Sequence, residues 1–303
     1  MFYLFLATLC SASIALIFKY TENSDTNRYV ITSANYFMAF FASLIMIFRK
    51  GLFVDLGIRT PFLEELGQVF SSDNMVLSQY GSVIWGVLIG SVAGLFFFLS
   101  FIFYQKSVKE NGVGLSGTFA KLGILVPMVF SIILWKELPS FLQWIGIVIS
   151  ICSILIVNLS KVSSDRLDFN KTLILLFLFG GMAEFSTKIY QKYGLNDYKD
   201  VFLFMVFLIA FFISTYYTLK LKSKIVASDI WIGFAVGIPN LFSSYFLILA
   251  LDSLKTSIVF PLYSAGSIVL INIGGWLLYK EKISGKNKFA IVLTIIALVL
   301  INL

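Results

Sequence analysis

Ten apolar runs, parted by short polar breaks, leave this chain very few ways to fold. They cover about 2–18, 29–48, 82–104, 115–135, 141–158, 172–191, 201–219, 230–251, 257–279 and 287–302. A hydrocarbon core of roughly 30 Å takes about 20 residues of helix to cross. Lipid offers no partner to a backbone N–H or C=O, so each run must satisfy its own groups as a helix; the runs are far too long for barrel strands. The shortest imply little tilt or a local thinning of the bilayer.

Composition agrees. Of 303 residues, 59% are hydrophobic and 13% charged, with a mean hydropathy of +0.92, whereas soluble domains carry roughly 25% charged residues. The net charge of +7 does not point to nucleic acid, because the basic residues sit in short loops, where they set topology. Cys10 and Cys152 fall inside apolar runs and provide no disulfide framework. The absence of histidine removes the usual zinc ligands, histidine-based triads and any histidine proton relay. With no metal-ligand cluster, nucleophile–base pair or phosphate-binding glycine loop, no cofactor is expected. Nor is enzymatic activity, or transport driven by ATP within this chain. Met1 leads into an apolar run without a basic start, so a cleaved signal peptide is not expected.

The chain also repeats itself. Trp135-Lys136-Glu137-Leu138-Pro139-Ser140 and an apolar run ending Asn158-Leu159 recur as Tyr279-Lys280-Glu281-Lys282-Ile283-Ser284 and a run ending Asn302-Leu303, 144 positions on. Run 1 aligns with run 6 at an offset of 169 (Lys19 with Lys188), and run 3 with run 8 at 146 (Trp85 with Trp231, Ser107 with Ser253). Runs 4 and 5 align with runs 9 and 10. Five runs per repeat is an odd number, so the second repeat must enter the membrane with the opposite orientation. The expected organisation is a first five-helix repeat over 1–160 and a second, inverted one over 161–303.

An insertion of about 51–81 breaks the symmetry. Thr60-Pro61 with Glu64 reads as a helix start with a capping acid, and Phe62, Leu63, Leu66, Val69 and Phe70 follow on one face. A short helix lying at the membrane interface is expected there. Loop charges bear on orientation: fourteen Lys and Arg lie on the side of the termini's opposite face and eight on the other. The positive-inside rule then places the termini outside.

Ten runs arranged five plus five, with Pro127 in run 4, Trp-Lys-Glu closing run 4 and Tyr-Lys-Glu closing run 9, resemble the drug/metabolite transporter superfamily, EamA type. The resemblance spans nearly the whole chain. It implies an all-α, ten-helix secondary transporter of small organic solutes (amino acid-like, vitamin-like or drug-like) in a prokaryotic cytoplasmic membrane, working by alternating access as a monomer or weak homodimer. It also implies a central cavity lined by runs 1–4 and 6–9. Members commonly keep their termini inside, against the charge count here. A lipid flippase or membrane-embedded lipid-modifying enzyme is the alternative; the enzyme would need an acidic or histidine cluster at one interface, and none is seen.

Charges inside the runs are few. Lys121 lies about seven residues into run 4, and burying an unpaired ammonium costs ~3 kcal/mol on insertion scales, so it should face the bundle interior with a partner. Glu184 lies near the middle of run 6, with Lys188 one turn on. Two readings stand: an internal Glu184–Lys188 pair, or a site in which Lys121 holds an anionic group of the substrate while Glu184 binds substrate and carries protons. Runs 4 and 6 start from the same face, and ~1.5 Å per residue puts the two charges roughly 10 and 18 Å deep, so a zwitterion could bridge them. Pro239-Asn240 interrupts run 8 near its midpoint, where binding sites recur in transporters. Asn35 and Tyr36 in run 2 and Tyr263 and Ser264 in run 9 are further candidate contacts; interhelical hydrogen bonds are the alternative. Glu137 and Glu281, near water, read as structural ion-pair partners. Gly86, Gly90 and Gly94 in run 3, echoed by Gly233 and Gly237 in run 8, read as seams of close helix approach.

Overall fold

A computed structural model describes residues 1–20, 26–52, 61–72, 75–159, 171–221, 225–280 and 285–302. The helices are α1 (Phe2–Tyr20), α2 (Arg28–Lys50), α3 (Phe62–Ser71), α4 (Gln79–Leu122), α5 (Leu125–Trp135), α6 (Phe141–Leu159), α7 (Lys171–Tyr193), α8 (Lys199–Lys220), α9 (Ala227–Ser253), α10 (Thr256–Tyr279) and α11 (Gly285–Asn302), with a 3₁₀ turn at Asn196–Tyr198. No strand occurs among the described residues. Among the described residues, seven segments are long and apolar enough to cross a bilayer, which makes this a multi-pass integral membrane protein.

Runs 3 and 4 divide differently from the sequence reading. The polar stretch around 105–114 was the expected break, yet the backbone stays helical through it and interrupts only at Gly123 and Ile124. Pro127 supplies the reason. It has no N–H for the Gly123 carbonyl one turn earlier, which instead accepts from the Val126 N–H at 3.0 Å. Polar residues mark where a chain meets water; they do not by themselves stop a helix.

Contacts group the chain into two compact units: Met1–Leu16, Leu99–Phe185 and Ser253–Leu303 in the first, Ile17–Phe98 and Ser186–Asp252 in the second. In the first unit, α6 packs along α11, and α10 packs on α5, α6 and α11. The α6–α11 seam is polar at one point: Ser153 Oγ donates to the Ala290 carbonyl at 2.8 Å and shares a hydrogen bond with Thr294 Oγ1 at 2.9 Å. The Phe130 and Phe185 rings stack at 4.6 Å, and Trp135 lies 6.0 Å from Phe185. Leu16 of α1 fills the space over Gly274, and Tyr279 Oη donates to the Leu16 carbonyl at 2.8 Å.

In the second unit α2 lies along α8. Asn27 starts α2, its Oδ1 accepting from the Tyr29 and Val30 N–H groups; Gly51, at φ 61°, ends it in the left-handed conformation that glycine adopts without strain. Tyr36, Trp85, Tyr190, Phe202 and Phe207 form the aromatic heart of this unit's core. The glycine seams run as expected. A Cβ on Gly90 would come 2.7 Å from the Phe202 carbonyl oxygen, and one on Gly94 2.6 Å from that of Val206, so α4 rests on the α8 backbone. Gly233 and Gly237 of α9 approach the Ile31 and Asn35 carbonyls of α2 to 2.6 Å by the same measure.

The insertion forms its expected helix, α3, with a different anchoring. Val69 is buried in the core of the second unit, with Phe62 and Leu66 packed against it, while Leu63 is exposed. Glu64 is exposed, and its neighbour Glu65 makes the hold: its carboxylate accepts from both the N–H and the hydroxyl of Ser78, just before α4.

Candidate functional site

Lys121 and Glu184 both lie in the first unit. Lys121 lies in the last turn of α4, just before the Gly123–Ile124 interruption, and Glu184 sits in the second half of α7. Two glycines bring these elements together. A Cβ on Gly123 would stand 3.1 Å from the Gly181 nitrogen and 3.2 Å from the Phe177 carbonyl oxygen; one on Gly181 would stand 2.6 Å from the Gly123 carbonyl oxygen. The backbones therefore touch within one helical turn of each charged residue. Both side chains are half-buried, and each lies within electrostatic reach of the other. An ammonium and a carboxylate held in this way can receive a carboxylate and an ammonium from one ligand.

In the second unit, Asn240 Nδ2 donates to Asn35 Oδ1 at 3.1 Å, across α9 and α2. This pairing lies beside the Gly237 seam, where the Asn35 backbone itself packs on α9. Tyr36 directs its ring into the aromatic core, 6.3 Å from Phe207, and is almost wholly buried. Lys188 is buried and donates from Nζ to Gln191 Oε1 at 2.9 Å.

Of the remaining candidates, Ser264 is buried and Tyr263 half-buried in α10, and the Tyr263 carbonyl accepts from the Ser267 hydroxyl. Glu137 acts as a helix cap: its Oε2 accepts from the Thr256 N–H at 2.8 Å, satisfying a donor at the start of α10. Lys255 Nζ donates to the Leu138 carbonyl beside it at 2.8 Å. Glu281 lies outside the described residues. The lysines before the two glutamates share a rare backbone. Lys136 (φ 53°) and Lys280 (φ 54°) are the two non-glycine residues at positive φ among those described, each closing its helix in the left-handed region.

One ion pair escaped the sequence reading. Lys50 Nζ lies 2.5 Å from Asp200 Oδ2, tying the end of α2 to the start of α8, and Asp200 is fully buried. Lys199 beside it donates to the Asn196 carbonyl at 2.9 Å and stands 4.6 Å above the Tyr245 ring. These groups sit at run ends and read as loop charges until α2 and α8 are known to pack together.

Residues 201–295, from α8 into α11, match the model of the Small Multidrug Resistance protein family. An uncharacterized protein of Haemophilus influenzae is 24% identical over 300 residues, covering 97% of this chain and 95% of its own length. A protein known from its crystal structure has a similar fold, with a TM-score of 0.70 at 15% identity over 99% of this chain and 94% of that one.

Proposed function

We propose that this protein is a secondary transporter that carries a small organic solute across a prokaryotic cytoplasmic membrane by alternating access. The half-buried Lys121 and Glu184, each within one helical turn of a close Gly123–Gly181 backbone contact at an interrupted helix, carry the reading. Charges are placed in a membrane interior at a cost, and they mark substrate and proton pathways. The substrate class that fits them is zwitterionic, amino acid-like, with its carboxylate on Lys121 and its ammonium on Glu184; a proton exchanges on Glu184 when the substrate leaves. Tyr263 with Ser264 in the first unit, and Asn240 with Asn35 in the second, are further candidate polar contacts for the solute. The match to the Small Multidrug Resistance family, within the broader drug/metabolite transporter-like grouping, supports transport over catalysis.

The machine consists of two inverted five-helix repeats, 1–160 (with the 51–81 insertion) and 161–303. Contacts that recur with the repeats exchanged support this. The α4 glycines rest on α8, and the α9 glycines rest on α2, although α4 corresponds to α9 and α2 to α8. Phe185 meets Phe130 and Trp135, while its counterpart Leu16 meets Gly274 and Tyr279, the counterparts of those two. A two-fold relation between the repeats produces such exchanged pairs. The protein works as a monomer or weak homodimer.

The test starts from a thermal-shift screen of purified protein against metabolites. A ligand found in this way is then followed into proteoliposomes under an imposed pH gradient. Lys121→Ala should abolish the shift given by an anionic or zwitterionic ligand, and Glu184→Gln should abolish pH-driven uptake. Undiminished pH-driven uptake by Glu184→Gln would remove the proton-carrying role.

A further inference from the structure

A cavity of about 290 Å³ lies within the first unit between α1, α10 and α11. Its walls are Leu4, Thr8, Leu262, Gly266, Leu270 and Thr294, and Phe5 and Ile295 stand at its rim. Two of the wall groups carry hydroxyls, and both are already satisfied. Thr8 Oγ1 donates to the Leu4 carbonyl at 2.6 Å, and Thr294 Oγ1 donates to the Ala290 carbonyl at 2.9 Å. Water held in a cavity needs several polar partners, whereas apolar cavities stay dry and take up apolar guests; an engineered one of roughly half this volume binds benzene.

The rim shows where the guest comes from. Phe5 and Ile295 are both more than half exposed, and they continue the bare apolar faces of α1 and α11, where Phe2, Leu9, Val292 and Val299 are exposed as well. In a membrane protein those faces meet lipid, so the cavity opens onto hydrocarbon. Its origin is legible in the repeat proposed above. Thr8 and Gly266 occupy the positions that carry Phe177 and Leu122 in the other repeat, at offsets of 169 and 144. Two small residues stand where the other repeat carries two bulky ones.

We propose that this cavity seats one acyl chain of a bilayer phospholipid. The binding is independent of which solute the protein moves. It makes the α1–α10–α11 interface complete only when a lipid chain is in place.

The experiment reconstitutes the full chain in phosphatidylcholine vesicles containing phosphatidylcholine with a diazirine in its acyl chain, then maps the label by mass spectrometry after illumination. Gly266→Leu fills the cavity from α10. A Cβ there would stand 3.0 Å from Thr8 Cγ2, the end of a side chain that can shift. Val269→Phe fills it from a neighbouring wall position and serves if the first variant does not fold. The expected result is label on Leu4 and Leu262 in the wild type, its loss in the filled variant, and unchanged label on the outward-facing Val299. Wild-type label confined to outward-facing residues, or Leu4 and Leu262 labelled equally in the wild type and the filled variant, would overturn the proposal.

Discussion

The Lys50–Asp200 pair should respond very unequally to the loss of its two ends. Asp200 is fully buried, whereas the Lys50 side chain is 37% exposed. Lys50→Ala strands a carboxylate that cannot reach water. Breaking a buried pair in this way costs about 3–5 kcal/mol. Lys199 still acts on Asp200, but its ammonium is held by the Asn196 carbonyl and Tyr245. The lower end, about 3 kcal/mol, is therefore expected. Asp200→Ala frees a lysine that can turn its long stem toward the headgroups, so its cost should be that of a surface pair, about 1 kcal/mol. The double variant removes both ends and should resemble Asp200→Ala, about 2 kcal/mol more stable than Lys50→Ala alone, with a coupling of about −3 kcal/mol. Equilibrium unfolding in mixed detergent–SDS micelles, followed by tryptophan fluorescence, measures all four proteins. An Asp200→Ala variant as unstable as Lys50→Ala, or a double variant below either single one, would refute the argument from unequal burial.

Other expectations rest on the local surroundings of single residues. Gly94→Leu must push α4 off α8, because its Cβ would begin 2.6 Å from the Val206 carbonyl oxygen and 2.8 Å from Ile209 Cβ; a loss of about 1–3 kcal/mol is expected in thermal melts. Gly67→Ala in α3, with nothing within 4 Å of its Cβ, should instead gain about 0.5–1 kcal/mol. On α6, Ser150 Oγ is buried with no hydrogen-bond partner, whereas Ser153 has two. Ser150→Ala should therefore stabilise the protein, and Ser153→Ala should cost about 1 kcal/mol in the same melts.

Ser150 also shows what a sequence can and cannot disclose about a chain of this kind. Its unmet hydroxyl has an explanation in the proposed repeat: the partner that Thr294 finds in Ser153 corresponds, for Ser150, to Ala297. Both residues are plain in the sequence; that α6 and α11 pack together is not. The same division runs through the molecule. Run length is a local property and a bilayer demands it, so the helices other than those of runs 3 and 4 were legible to within a few residues. The glycine seams were legible too, because spacing by four sets a bare stripe on one helix face. The partner of each stripe was not. The α4 interruption was misplaced because Pro127 acts on the carbonyl one turn before it, while the eye stops at the polar residues upstream. Lys50 and Asp200, at the ends of their runs, could not be paired without the α2–α8 contact that joins them. Lys121 and Glu184 could be singled out without any contact, because a charge within an apolar run is conspicuous wherever its partner lies. In a membrane the solvent makes exceptions visible and leaves pairings hidden. Candidate sites are therefore easier to single out in such a sequence than the packing around them.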